Sequence, residues 1–391
     1  MTKPSVVMLI ASFYPHLGGT EKQALEASGF LLRDGVGVRV VTRRLPGTLP
    51  QEYVDGVPVV RLYCPGRGIF NSLWFMVSAF AWLFANRREY DVIHVHLASS
   101  HALAACLAGK LLGRGVVIKI GGGAGIGELA VSSSTRSGRL KLKLLAWFTP
   151  RVLVVNEDLR AELAKHGLGA LEVSVLPNGV DTGKYSPALF DEKRGLRGRL
   201  GLPGGTAFLF VGRLSPEKRM LEFLELWAET MREMPDCGAF LVIAGEGPLD
   251  AELRAAARAL DISGSVIFAG RRDDLGDYYR ACDVFVLPSV SEGLSNAMLE
   301  AMSCGMAVMA TSRGGARDAL SGTKAGYLFD PFDKPGIKKL LRDFIVEPRL
   351  AVATGEAARA RAVEAYNMPA TVRALEEVYS SVMRTDKTCA E

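Results

Sequence analysis

The chain has 391 residues, 49% of them hydrophobic, with 42 glycines and a formal charge of +5. That length leaves room for two α/β domains, each with its own core. The six cysteines form no C-x-x-C pair and no metal-ligand spacing, which excludes a cysteine-held metal and fits a reducing cytoplasm. Residues 1–180 hold 20 Lys and Arg against 12 Asp and Glu, a net +8, while the rest hold 27 against 30. A basic first half suits an anionic partner such as a membrane surface, a lipid phosphate or an acidic glycan; scattered surface cations are the other reading.

In chain order, the first predicted strand is Val6–Ile10. It lies in MTKPSVVMLIASFYP, which begins like a signal peptide but has a short apolar run and no small-x-small cleavage pattern. The loop after it carries Gly18-Gly19-Thr20-Glu21. Paired glycines let a phosphate approach the backbone, and Thr20 is placed to cap a helix over Glu21–Leu32. A plain tight turn uses the same residues. Strands follow at Val38–Val41 and Val57–Leu62. Residues 68–86, GIFNSLWFMVSAFAWLFAN, contain 19 uncharged positions, close to bilayer length. Asn71, Ser72 and Ser78 interrupt them, so a buried or interfacial helix is expected, with Phe70, Trp74, Phe80, Trp82 and Phe84 available to lipid headgroups.

The strand Val92–Val95 lies in DVIHVH, where His94 and His96 are read as facing opposite sides of the sheet, His94 towards the core. Their H-x-H spacing resembles a metal pair, but no third ligand is near in sequence, so no metal is expected. His16 and His101 are lesser candidates. A helix over Ala102–Leu112 and a strand over Val116–Ile120 lead to GGGAGIGELA, a glycine loop able to move over substrate. Glu128 after it is read as a surface carboxylate, with acceptor binding or auxiliary base as the other role. RSGRLKLK, residues 136–143, adds four cations. Strands Val152–Val155 and Val173–Leu176 complete the first series. Residues 178–206 lack an apolar period and read as hinge and linker.

A second series begins with strands Phe208–Val211, Phe240–Ala244, Val266–Phe268, Val284–Leu287 and Val308–Ala310. Short β-branched runs separated by helical segments imply parallel sheets with helices on both faces. The expected fold is therefore α/β, two doubly wound Rossmann-like domains facing across a cleft. The boundaries are 1–180 and 181–365, with an amphipathic helix in about 366–391 packing back on the first domain. In such sheets ligands sit at the carboxyl ends of the strands.

Two loops there carry chemistry. VGRLSPEKR, residues 211–219, places Arg213 and Lys218 at the cleft, with Ser215-Pro216-Glu217 as N-cap, N1 and acidic first turn of a helix. Two fixed cations stabilise the charge that grows on a departing diphosphate, with no metal required. PSVSEGLSNAMLEAMSCGMAV, residues 288–308, spaces Glu292 and Glu300 eight apart, with Glu300 about two turns into a helix starting near Leu294. Gly293, Leu294, Ser295 and Asn296 lie at that start, where backbone N–H groups bind phosphate oxygens. One carboxylate can hold sugar hydroxyls and the other ribose hydroxyls.

This last stretch resembles the E-x7-E signature of family 4 retaining glycosyltransferases, which have the GT-B fold. The resemblance continues in family order through FYPHLGGTEKQALEASGFL, DVIHVHLASSHA, LPNGVDTGKYSP, VGRLSPEKR, IAGEGPL, FAGRRDDLGDYYRACDVFVLPSVSEGLSNAMLEAM and GYLFDPFD. It implies a nucleotide diphosphate sugar on the second domain and an acceptor on the first. Arg213 and Lys218 would bind diphosphate, Glu300 the ribose, Glu292 the transferred sugar, and Arg271 and Arg272 would lie near the base. His96 would contact acceptor or donor phosphate, and Gly18 and Gly19 would approach the donor. The implied partners are a uridine or guanosine diphosphate sugar, a glycan or lipid-linked acceptor, and the inner membrane face, with no nucleic acid and no cofactor. The chain departs from the family in its glycine loop, where relatives carry a histidine, and in GGARDAL, where Asp318 stands for a glutamate. The other classes considered are a nucleotide-sugar hydrolase or epimerase, a non-catalytic binding paralogue, and a dehydrogenase, which would need a missing G-x-G-x-x-G fingerprint.

Overall fold

Valine and isoleucine runs form the middle of two largely parallel sheets, whose central strands are buried on both faces by flanking helices. The computed structural model describes residues 3–16, 18–66, 68–123, 125, 127–272 and 274–384. The chain divides into two units: one joins the residues before Val180 to those from Met368 on, and the other is Val180–Asn367.

In the first unit the chain runs β1 (Ser5–Leu9), α1 (Gly19–Arg33), β2 (Gly37–Arg43), β3 (Gln51–Val54), β4 (Val57–Leu62), α2 (Gly68–Ala85) and β5 (Val92–His96). It continues through α3 (Ser100–Leu112), β6 (Gly115–Ile120), α4 (Glu128–Ser134), α5 (Arg136–Phe148), β7 (Arg151–Val154), α6 (Glu157–Lys165) and β8 (Val173–Val175). The sheet order is β3-β4-β2-β1-β5-β6-β7-β8, so the winding direction reverses between β1 and β5. Only β3 is antiparallel to its neighbour among the described strands. Asp55 and Gly56, with φ of 48° and 80°, supply the positive φ pair that a two-residue hairpin turn needs.

The second unit opens with α7 (Phe190–Leu200) and β9 (Ala207–Val211), then α8 (Met220–Glu233), β10 (Phe240–Ala244), α9 (Asp250–Ala259) and β11 (Val266–Gly270). There follow α10 (Gly276–Ala281), β12 (Val284–Leu287), α11 (Asn296–Ser303), β13 (Ala307–Thr311), α12 (Gly314–Leu320), β14 (Gly326–Phe329), α13 (Lys334–Val346) and α14 (Pro348–Ala365). Its order is β11-β10-β9-β12-β13-β14, with the reversal between β9 and β12. Phe223, Leu224 and Trp227 of α8 lie on one helical face and fill the core against β9 and β10. The Trp227 indole N–H donates to Ser265 Oγ at 3.0 Å.

The expected linker over 178–206 is partly helical. Helix α7 has no apolar period, yet Leu196 is fully buried and Arg197 ties it to β12's approach, donating to Ala281 O and Asp283 Oδ2. The last helix, α15 (Met368–Arg384), belongs to the first unit, where Met368, Val372, Leu375 and Tyr379 join the core formed by β1, β2, β5 and α1. Residues 385–391 of the expected terminal helix lie outside the described residues. Helix α2 buries Phe75, Ala79 and Leu83 and exposes Phe70, Trp74, Val77 and Phe84. No helix among the described residues is long and apolar enough to cross a membrane.

Candidate functional site

In the second unit, Lys218 and Glu292 come from the loops after β9 and β12, the two strands that flank the reversal of winding. A gap between diverging connections opens at that place in a doubly wound sheet. The Lys218 ammonium pairs with Glu292 Oε2, and both side chains are largely buried. The backbone joins the same two loops, since Val290 N donates to Glu217 O at 3.0 Å.

The segment before Lys218 folds differently from expectation. Residues Pro216–Lys218 form a single 3-10 turn, Ser215 does not cap it with its side chain, and Arg219, at φ 53°, separates the turn from α8. The Ser215 hydroxyl instead donates to Glu217 Oε1. That bond, with Lys218 and Arg213 nearby, holds the Glu217 carboxyl below its ordinary range despite partial burial. The Arg213 guanidinium is exposed and makes no hydrogen bond or ion pair to a described residue. It is thus open to an anion.

Neighbouring loops brace this one. Leu214 N donates to Glu246 O, and Leu249 N donates to Leu214 O, at 3.0 and 3.1 Å. Gly245 and Gly247 let the strand ends approach, because a Cβ on either would strike the carbonyl oxygen of Gly212 or Leu214. Arg271 donates to Glu246 Oε1 at 2.9 Å, and Arg272 donates to Ala269 O at 3.0 Å. Glu246, in IAGEGPL, received no role in the sequence reading.

Helix α11 starts at Asn296, two residues later than expected, because Ser295 is its N-cap and accepts from Met298 N. Glu300 is therefore little more than one turn into the helix, not two. It is 4% exposed. Burial, then the Glu300 charge, pushes the Tyr279 phenol well above its ordinary value, and the same two causes raise Cys304 to about 12. Gly314 and Gly315 of α12 lie against the Glu292–Gly293 backbone. Gly315 N donates to Gly293 O at 2.6 Å, and a Cβ on Gly314 would collide with Glu292 O. Asp318 lies in the same helix beside Arg317.

In the first unit, α1 begins at Gly19 with Gly18 as N-cap, so Thr20 is inside the helix and not its cap. The Glu21 carboxylate folds back over Gly18, in the space where a Cβ would stand. Burial raises the Glu21 carboxyl, with its own backbone N–H and His16 pulling it back. This helix start thus carries a carboxylate of its own.

The two strand histidines do not face opposite sides. Residues two apart on a strand share a face, and the His94 and His96 rings stack with centroids 4.6 Å apart. His94 Nδ1 lies 2.6 Å from the Tyr379 hydroxyl, and its Nε2 is buried without a partner. His96, 4% exposed, has Nε2 3.4 Å from Met8 Sδ. Burial, then the Lys119 charge, pushes His96 down to about 3. His101 is buried with Nε2 3.1 Å from His96 O, and burial lowers it to about 4. All three are neutral at pH 7.

Glu128 is not a surface carboxylate. Both its oxygens are shielded from solvent and neither makes a well-formed hydrogen bond. Burial lifts it to about 7, offset by the Ala98 backbone and the Lys141 charge. Of the glycine loop before it, Ala124 and Ile126 lie outside the described residues.

A family model described as "Glycosyltransferase Family 4" matches residues 17–184, and one described as "Glycosyl transferases group 1" matches residues 196–361. The UDP-Gal:alpha-D-GlcNAc-diphosphoundecaprenol alpha-1,3-galactosyltransferase of Escherichia coli is 26% identical over 379 residues, covering 93% of this chain and 94% of its own. The D-inositol 3-phosphate glycosyltransferase of Streptomyces scabiei is 28% identical over 395 residues, covering 94% and 87%. Among solved structures, Anabaena HepE in complex with UDP and glucose superposes with a TM-score of 0.79 at 20% identity, covering 97% of this chain and all of that one. With two units of the GT-B type and the two models together spanning most of its length, the chain belongs to the family 4 glycosyltransferases.

Proposed function

We propose that the protein transfers a sugar from a nucleotide diphosphate sugar to an acceptor hydroxyl with retention of configuration and without a metal. The observation that carries this reading is the Lys218–Glu292 pair at the β9/β12 reversal. A cation fixed there before substrate arrives stabilises diphosphate charge at no reorganisation cost. Arg213 is the second cation. Glu292 holds hydroxyls of the transferred sugar, Glu300 holds the ribose, and Arg271 and Arg272 flank the base. The Gly293–Asn296 start of α11 adds a positive dipole end for phosphate. The departing β-phosphate takes the acceptor proton on the face it leaves, which gives retention. Gly18, Gly19 and His96 serve the first unit's share of substrate binding, His96 as a neutral hydrogen-bonding ring.

The donor reading is a uridine diphosphate sugar first and a guanosine diphosphate sugar second; the Escherichia coli relative's donor supports the former. Stabilisation by UDP and not GDP in thermal melts bears this out, and the reverse replaces it. Transfer unchanged in EDTA is expected; loss of activity restored by a divalent ion removes the metal-free reading. Product analysis decides retention.

The acceptor reading is a lipid-linked glycan at an anionic membrane face. Exposed Phe70, Trp74, Val77 and Phe84 on α2 and Leu140, Leu144 and Trp147 on α5 support it, with Arg87, Arg136, Arg139 and Lys143 on or beside the same helices. Lys110 also lies 3.8 Å above the Trp147 ring. Salt-sensitive binding to anionic vesicles is expected, and indifference to lipid charge refutes it.

A further inference from the structure

Lys119 is the one charged residue in the strand VVIKI. It is 8% exposed and makes no hydrogen bond or ion pair to a described residue. In the parallel register it stands beside His96 on β5 and Leu153 on β7. Partners in register share a face, so Lys119 lies on the side that carries His94 and His96. Both rings are buried and neutral, and neither offers a negative charge. The next residues are Ile120 and Gly121-Gly122-Gly123, at the carboxyl end of the strand, where loops of a doubly wound sheet receive ligands.

A buried ammonium with no counter-charge is costly unless an anion joins it. Burial alone lowers Lys119 to about 8, with no carboxylate acting on it, so the group remains largely charged at pH 7. Glu128, at the far end of the glycine loop, answers to Lys141 and not to Lys119.

We propose that Lys119, with the Gly121–Gly123 backbone beyond it, is a binding site for an anionic group of the sugar acceptor, a phosphoryl or a carboxylate. The link to an acceptor rests on the transferase reading above; the anion site itself does not. Its test is therefore made in the full-length chain carrying Arg213→Ala and Lys218→Ala, which silences the proposed diphosphate contacts. Saturating inorganic phosphate, or glucuronate in a parallel series, is expected to raise Tm by about 5 °C. Adding Lys119→Met is expected to abolish that rise and to increase the anion-free Tm, because the uncompensated charge is gone. Lys119→Gln replaces it should the Met variant not fold. A stronger response to phosphate assigns a phosphoryl group, and a stronger response to glucuronate a carboxylate. No shift with either anion, or a shift that survives loss of Lys119, overturns the proposal. Loss of UDP binding in the double variant reports separately on the donor site.

Discussion

At the reversal of the second sheet Lys218 is matched by Glu292, and on a neighbouring loop Arg271 is matched by Glu246. In the first unit, Lys119, His94, His96 and His101 and the carboxylate oxygens of Glu128 are buried with no ion pair among the described residues. The same architecture thus handles charge in two ways. Matched pairs hold their side chains in place, which suits a site that must meet a diphosphate without rearranging. Unmatched groups shift their titration instead, which couples the first unit's stability to pH.

The sharpest way to break this contrast is Lys218→Ala. Turnover is expected to fall about 10³-fold, as for loss of one preorganised donor to a developing charge. Because Glu292 would be left largely buried without its counter-charge, stability should also drop, by about 1–3 kcal/mol. A melt that collapses while turnover per folded molecule persists would make the pair structural. Gly314→Ala comes next. Its φ of 53° and the Glu292 carbonyl behind it leave no room for a methyl group. We expect a stability loss of about 1–3 kcal/mol and weaker UDP binding as Glu292 is displaced. Unchanged binding in calorimetry would uncouple α12 from the site.

Two pH effects sharpen the other side. The folded Glu128 carboxyl, at about 7, holds its proton more tightly than the unfolded one near 4.5. Its stabilising contribution is full below about pH 4.5 and fades as pH rises to about 7, on the order of 3 kcal/mol in all. Glu128→Gln should therefore gain relative stability between those values, measured by denaturant melts at fixed pH; parallel curves for both proteins refute it. The histidines act with the opposite sign. His96 and His101, lowered to about 3 and about 4, contribute stability above about pH 6.5 that is lost as pH falls towards those values. Amide protection factors, corrected for the slower intrinsic exchange at pH 5, should fall in the first unit before the second, by a modest factor, and an equal fall would erase the distinction.

Much of this was legible in the chain itself. The strands Val57–Leu62, Phe240–Ala244 and Val284–Leu287 have the limits their β-branched runs suggest. Arg213, Lys218 and Glu292 stood out by charge in strand-end loops, and Glu300 by its spacing from Glu292. Other features were visible but missed or misread. Asp55-Gly56 marks the β3–β4 hairpin and went unread, and a spacing of two places His94 and His96 on one face, not two. Lys119 was overlooked although a lone lysine in an aliphatic strand is itself a signal. Helix α7 is a different case. With Gly195 and Gly198 inside it, local preference is weak, and the Arg197–Asp283 tie that holds it spans 86 positions that no local pattern reveals. Glu128 was equally hidden, since its burial depends on where α4 docks.

Helix α15 has a consequence for biosynthesis. Tyr379 reaches His94 from 285 positions away, and Met368, Val372 and Leu375 complete the same core. As the polypeptide leaves the ribosome, the earlier-made sheet therefore keeps one oily flank uncovered until translation has passed through the whole of the later-made unit. Nonsense mutations shortly after Asn367 should leave the Val180–Asn367 unit able to fold beside a partner that chaperones and proteases treat as unfinished.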